Sequence, residues 1–94
     1  MISIDELHAG LEVALPASWR RLVHVSNKGE SGLQLKIEGQ RCLTSIGVWP
    51  SGLCDVDFLF VGTARGEFRH FEVADVQSAH ATVMRELASA VERA

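Results

Sequence analysis

Between residues 42 and 61 apolar and polar positions alternate on both sides of one tight turn, Trp49-Pro50-Ser51-Gly52-Leu53. Alternation with a period of two marks a half-buried strand. Proline pre-sets the first turn position and glycine takes a left-handed one, so Pro50-Ser51-Gly52 suits a three-residue hairpin loop. Counting outward from that loop, Trp49 faces Leu53, Val48 faces Cys54, Ile46 faces Val56, Thr44 faces Phe58 and Cys42 faces Phe60. The last four pairs share one side of the ribbon, because side chains alternate along a strand, and they make that side apolar. The other side carries Trp49 with Leu53, Gly47 with Asp55, Ser45 with Asp57, Leu43 with Leu59 and Arg41 with Val61. A slip of one residue would mix the two sets, so the pattern supports the register independently of the turn.

The flanking segments complete the pattern. Ser3-Ile4-Asp5-Glu6 has the form of a capping box, and Ile4, Leu7, Leu11, Ala14 and Leu15 recur behind it at helical spacing until Pro16. A first helix over residues 4–14 follows, weakened by about 1 kcal/mol at Gly10 relative to alanine. Residues 20–26 are rich in strand formers, and Asn27-Lys28-Gly29-Glu30-Ser31-Gly32 reads as a loop. Leu33, Leu35 and Ile37 then alternate with Gln34, Lys36 and Glu38, and Gly39-Gln40 turns the chain back. After a loop at 62–66, Glu67–Val73 forms a last strand. Asp75 is the N-cap of a final helix, whose apolar stripe is Val76, Ala79, Val83, Met84, Leu87, Ala90 and Val91. Gln77, Arg85, Glu86, Ser89, Glu92 and Arg93 largely occupy its other side. The expected fold is α+β: an N-terminal helix, an antiparallel meander of about five strands, and a C-terminal amphipathic helix, with the helices packed on one sheet face. Residues 1–94 form one domain without repeats or linkers.

Composition narrows the classes of function. Apolar residues at 47% and charged residues at 22% are ordinary for a globular protein. No apolar run approaches the roughly 20 residues of a membrane helix. Met1-Ile2-Ser3-Ile4-Asp5-Glu6 carries acids where a signal peptide needs lysine or arginine, so a cytoplasmic location is expected. The net charge is −3 with no basic block. Nucleic-acid binding takes its affinity from phosphate neutralisation, so this chain is a poor candidate for it. A mildly acidic surface suits a basic protein partner better.

The candidate chemistry is sparse. Asp55 and Asp57 project the same way from an open ribbon, beside Gly47 and Ser45. They either solvate a one-sided sheet or make charged contacts with a partner, with Trp49 as the apolar anchor. General acid catalysis needs a carboxyl whose pKa is raised by burial or a like charge, and an open face supplies neither. Cys42 and Cys54 stand six positions apart along the hairpin, roughly 20 Å at strand rise, whereas a disulfide needs Cα atoms within about 7 Å. Buried free thiols are expected. His8, His24, His70 and His80 are scattered one per segment, His80 as a half-exposed packing residue and His70 on a strand that could flank a partner surface. Gly62-Thr63-Ala64-Arg65-Gly66 has glycines but no phosphate-cradling arrangement. No catalytic residue, metal site or cofactor is expected, and a binding module is favoured over an enzyme.

The run Arg41-x-Leu43-x-Ser45-Ile46-x-Val48-Trp49-x-Ser51-Gly52-x-Cys54-Asp55-x-Asp57, followed by an aromatic strand and an amphipathic helix, resembles the TriTu-type immunity proteins. These are small bacterial antitoxins encoded beside ADP-ribosyltransferase effectors of interbacterial competition. The resemblance spans about residues 35–91 and is most specific at Val48-Trp49-Pro50-Ser51-Gly52-Leu53-Cys54-Asp55. It implies direct inhibition, in which the antitoxin occludes the toxin's nicotinamide-dinucleotide cleft without reacting. Trp49, Asp55, Asp57, Ser45 and Arg41 are the candidate contact residues, and the chain would act as a monomer or homodimer. The alternative is a type III secretion chaperone-like protein, also small and acidic, that holds an effector segment. Such a chaperone would carry a helix among its strands, which this pattern lacks.

Overall fold

A computed structural model describes residues 1–94. The first helix, α1 (Ile4–Ala14), begins where the Ser3 hydroxyl accepts from the Glu6 amide at 3.3 Å, and it ends before Pro16. Ile4, Leu7 and Leu11 face the core, while Ala14 lies outside it. A short 3-10 turn at Ala17–Trp19 brings the half-buried Trp19 back against the core.

Five strands follow without interruption: β1 (Val23–Gly29), β2 (Gly32–Glu38), β3 (Cys42–Val48), β4 (Leu53–Phe60) and β5 (Gly66–Glu72). They pair in sequence order, each antiparallel to the next. The last helix, α2 (Val76–Arg93), starts at a complete capping box in which Asp75 and Ser78 exchange bonds. The expected α+β architecture is therefore the observed one.

The central hairpin has the register read from its turn. Cys42 pairs with Phe60, Thr44 with Phe58, Ile46 with Val56 and Val48 with Cys54. The Trp49 amide donates to the Leu53 carbonyl at 2.9 Å across a loop whose Gly52 has φ +97°. Alanine at that glycine would be strained, and its Cβ would collide with the Val73 carbonyl oxygen.

β1 differs from expectation. It starts three residues later than the composition suggests and runs on through Asn27-Lys28-Gly29, which pair with Gln34, Leu33 and Gly32. Only Glu30 and Ser31 remain as the turn. Ser26 is an extra residue between Val25 and Asn27, a bulge that shifts the register and ties its hydroxyl to the Gln34 carbonyl at 3.2 Å.

Both helices pack on the side of the sheet defined by Leu33, Leu35, Ile37, Cys42, Ile46, Val48, Cys54, Val56 and Phe58. Leu7, Leu11, Ala79, Val83, Leu87 and Ala90 complete this core from the helices. α1 meets α2 at Gly10, where an added Cβ would lie 3.3 Å from the His80 ring. The N-terminal segment is fixed by the Ile2 amide donating to the Pro50 carbonyl at 2.8 Å.

Beneath β5 the packing is ionic. Glu86 on α2 is only 2% exposed, not on the solvent side that helical spacing suggested. It accepts from Arg69 at 3.1 Å, and Arg69 also binds Glu67 at 2.7 Å. Arg93 reaches Glu67 at 3.0 Å while its guanidinium stacks 4.4 Å from the centroid of Phe58. Both guanidinium groups hold the exposed Glu67 carboxyl below the usual carboxylate range.

Candidate interaction face

With both helices on one side, the other side of the sheet has no covering layer. Its side chains follow from the register. Across the middle run two rows: Gln34, Gly47, Asp55 and His70; then Lys36, Ser45, Asp57 and Phe68. The next row outward holds Glu38, Leu43 and Leu59, and the hairpin end holds Trp49, Leu53 and Glu72.

Large apolar side chains are exposed here. Phe68 is 59% exposed, Leu59 52%, Leu43 40% and Trp49 40%. Leu43 and Leu59 are directly opposite each other, and Phe68 lies diagonally next to Leu59, so the three form a continuous strip. Four carboxylates, Glu38, Asp55, Asp57 and Glu72, share this face with one lysine, Lys36. An open depression lies between Lys36, Glu38, Leu43, Ser45, Asp57 and Leu59.

The five residues singled out by sequence have unequal surroundings. Asp55 contacts His70, with Oδ1 2.5 Å from Nδ1 across a strand pair. Asp57, one pleat further, is exposed and has no ion-pair partner. The Ser45 hydroxyl accepts from the Gln34 amide nitrogen at 3.3 Å. Trp49 lies back over the sheet, its ring edge 2.8 Å from the place a Cβ on Gly47 would occupy. That glycine leaves room for the indole, and Trp49 stays partly exposed. Arg41 points elsewhere, donating to the main-chain oxygens of Glu92 and Ala94 at the end of α2, each at 3.3 Å. Its positive charge sits where the helix dipole is negative.

Compared with protein-family models, curated proteins and solved structures, the chain matches none.

Phe68 and Glu72 were not singled out from the sequence, although the alternation in Glu67–Val73 contains the signal. Once β5 is paired to β4, Phe68 must stand opposite Asp57 and therefore on the uncovered side. Chemically the face offers shape, apolar area and negative charge. No group of three or more His, Cys, Asp or Glu side chains is arranged to hold a metal ion. No helix is long and apolar enough to cross a membrane. Cys42 and Cys54 are free and lie on the helix side. Burial, with Asp55 and Glu86 nearby, pushes the Cys54 thiol up to about 11, so it stays protonated near neutral pH and is a poor nucleophile.

Proposed function

We propose that this chain is a non-catalytic immunity protein, which binds a cognate bacterial toxin through the open sheet face and blocks its substrate cleft. The observation that carries the reading is the character of that face. Exposed Leu43, Leu59, Phe68 and Trp49 supply apolar contact area, while four carboxylates against one lysine favour a basic surface opposite. The segment on which the resemblance to TriTu-type immunity proteins is most specific, Val48–Asp55, builds the Trp49 end of this face. In this role no residue reacts. Affinity comes from water excluded by the apolar strip, and orientation comes from Asp57, which lies in the middle of the face without an internal ion-pair partner. The encounter would take place in the cytoplasm of the producing cell.

The chaperone-like alternative gains nothing from the order of elements, since no helix interrupts the strands. Co-expression with the product of the neighbouring gene tests the proposal. Growth should be rescued and a stable complex should copurify. Asp57→Lys combined with Leu59→Lys should abolish rescue while the variant keeps its circular dichroism spectrum. Rescue and complex formation unchanged by that folded double variant would reject the open face as the toxin contact.

A further inference from the structure

The two edges of the sheet are built differently. β1 is bulged at Ser26 and carries Lys28, both of which discourage a further strand from pairing. β5 pairs with β4 without a bulge along its whole length, and nothing flanks its outer side. The direction of its backbone groups follows from its ends. The Val73 amide donates to Gly52 and the Arg65 carbonyl accepts from Phe60, so the odd-numbered residues of this strand bond inward to β4. By alternation, Gly66, Phe68, His70 and Glu72 direct their N–H and C=O groups out of the sheet.

We propose that β5 pairs with β5 of a second copy of this chain, antiparallel about a two-fold axis at Phe68, to join two sheets into one. An axis normal to the sheet at an outward-bonding residue satisfies backbone groups on both copies and keeps the two helix layers on the same side. In this register Phe68 meets Phe68 of the other copy, and Glu67 stands opposite Arg69 of the other copy twice over. Those two side chains project to the same side as Glu86 and lie in a closely spaced non-hydrogen-bonded pair, where opposite charges attract. His70 faces Gly66, which has no side chain to obstruct it. Moving the axis to Arg69 sets two guanidinium groups face to face. Moving it to His70 leaves Glu67 without a cation across the edge. Charges that point under an edge strand ordinarily protect it. Here they carry opposite signs at mirrored positions. An axis at Gly66 also sets Glu67 opposite a cation, Arg65, but leaves all of the strand beyond Glu67 unpaired, so charge and length together favour the axis at Phe68. The joined sheet would also extend the Leu43–Leu59–Phe68 strip across both copies. The proposal stands whether or not a toxin is the partner of the open face.

A contact through one strand buries little surface, so the dimer is expected to be in exchange with monomer. Sedimentation equilibrium should give a mass that rises from one chain towards two as concentration reaches the millimolar range. Phe68→Arg, at a 59%-exposed position, should raise the dissociation constant at least tenfold with the fold intact. Oxidative cross-linking fixes the register. Two copies of residue 68 lie about 5.5 Å apart between Cα atoms, within the disulfide range of about 4.4–6.8 Å. Two copies of residue 72 lie roughly 26 Å apart at strand rise. Phe68→Cys should therefore cross-link at dilutions where Glu72→Cys does not, with Cys42 and Cys54 buried and silent. A wild-type chain that stays monomeric to millimolar concentration would overturn the proposal. So would a dimer indifferent to Phe68→Arg, or Glu72→Cys cross-linking as fast as Phe68→Cys.

Discussion

Two glycines of the hairpin are needed for different reasons. Gly52 closes the hairpin at φ +97°, with the Val73 carbonyl against the space where a Cβ would project. Gly52→Ala combines backbone strain with a clash against main chain, which cannot rotate away. The expected cost is on the order of 2–3 kcal/mol, measured as a lower urea midpoint at unchanged slope. Gly47 differs because its neighbour is the end of a side chain. A Cβ there, 2.8 Å from the Trp49 ring, displaces the indole into water at small cost to stability. In a Trp19→Phe background, Gly47→Ala should shift Trp49 fluorescence to the red while lowering stability by less than about 1 kcal/mol. An unshifted spectrum would show that the ring does not lie against that glycine.

At the level of elements, the α2–β5 contact shows how a helix can cover a sheet edge largely with charged residues. Arg69, Arg85 and Arg93 lay guanidinium groups near Phe58 and Phe71 at 4.4–5.1 Å from the ring centroids, while their charges meet Glu67 and Glu86. Stacking and ion pairing together replace the oily cover that β3 and β4 receive. Glu86 is the sensitive member because it is buried. Arg69→Ala leaves the buried carboxylate with only the longer Arg85 contact at 3.4 Å and should cost about 2 kcal/mol, discounted for the partial exposure of both arginines. Arg69→Met combined with Glu86→Leu removes both charges and should recover most of that loss. Equal thermal melts for the single and double variants would contradict this account. β1 carries the complementary lesson. Asn27 and Gly29 are turn formers by themselves, yet pairing with β2 draws them into the strand and leaves Ser26 as the surplus residue.

For the whole molecule, stability should form a plateau bounded by two titrations. Glu67 is held low by Arg69 and Arg93, and Asp75 by the bonds of its capping box to Ser78. A lowered folded pKa means their contribution is complete above their ordinary values of 4.5 and 3.8 and is lost as pH falls through the folded values. Cys54 has the opposite sign. Its thiol rises from 9.0 to about 11, so its contribution is complete below 9.0 and disappears as pH approaches 11, because the unfolded thiol ionises first. Denaturation midpoints should fall on both the acid and alkaline sides. Cys54→Ala should flatten the alkaline limb while lowering the whole curve through the small cavity it leaves. An alkaline limb unchanged by that substitution would assign it to other groups.

The hairpin register, both helices and the division of the sheet into a covered and an open side were legible in the chain itself. Each depends on turn chemistry and periodicity, which act between neighbours or across a single loop. The fates of the individual charges were not legible. Asp55 meets His70 from the next strand, Arg41 turns to the end of α2, and Glu86 is buried because Arg69 lies beneath the edge strand. Asp57 alone of the two hairpin aspartates is left without an ion-pair partner. The sequence settled which side of the ribbon each residue within the paired strands occupies, since alternation is a property of the local backbone. Only the assembled sheet and helices decided which charges pair internally and which face outward, because each pair joins residues that contact only after folding.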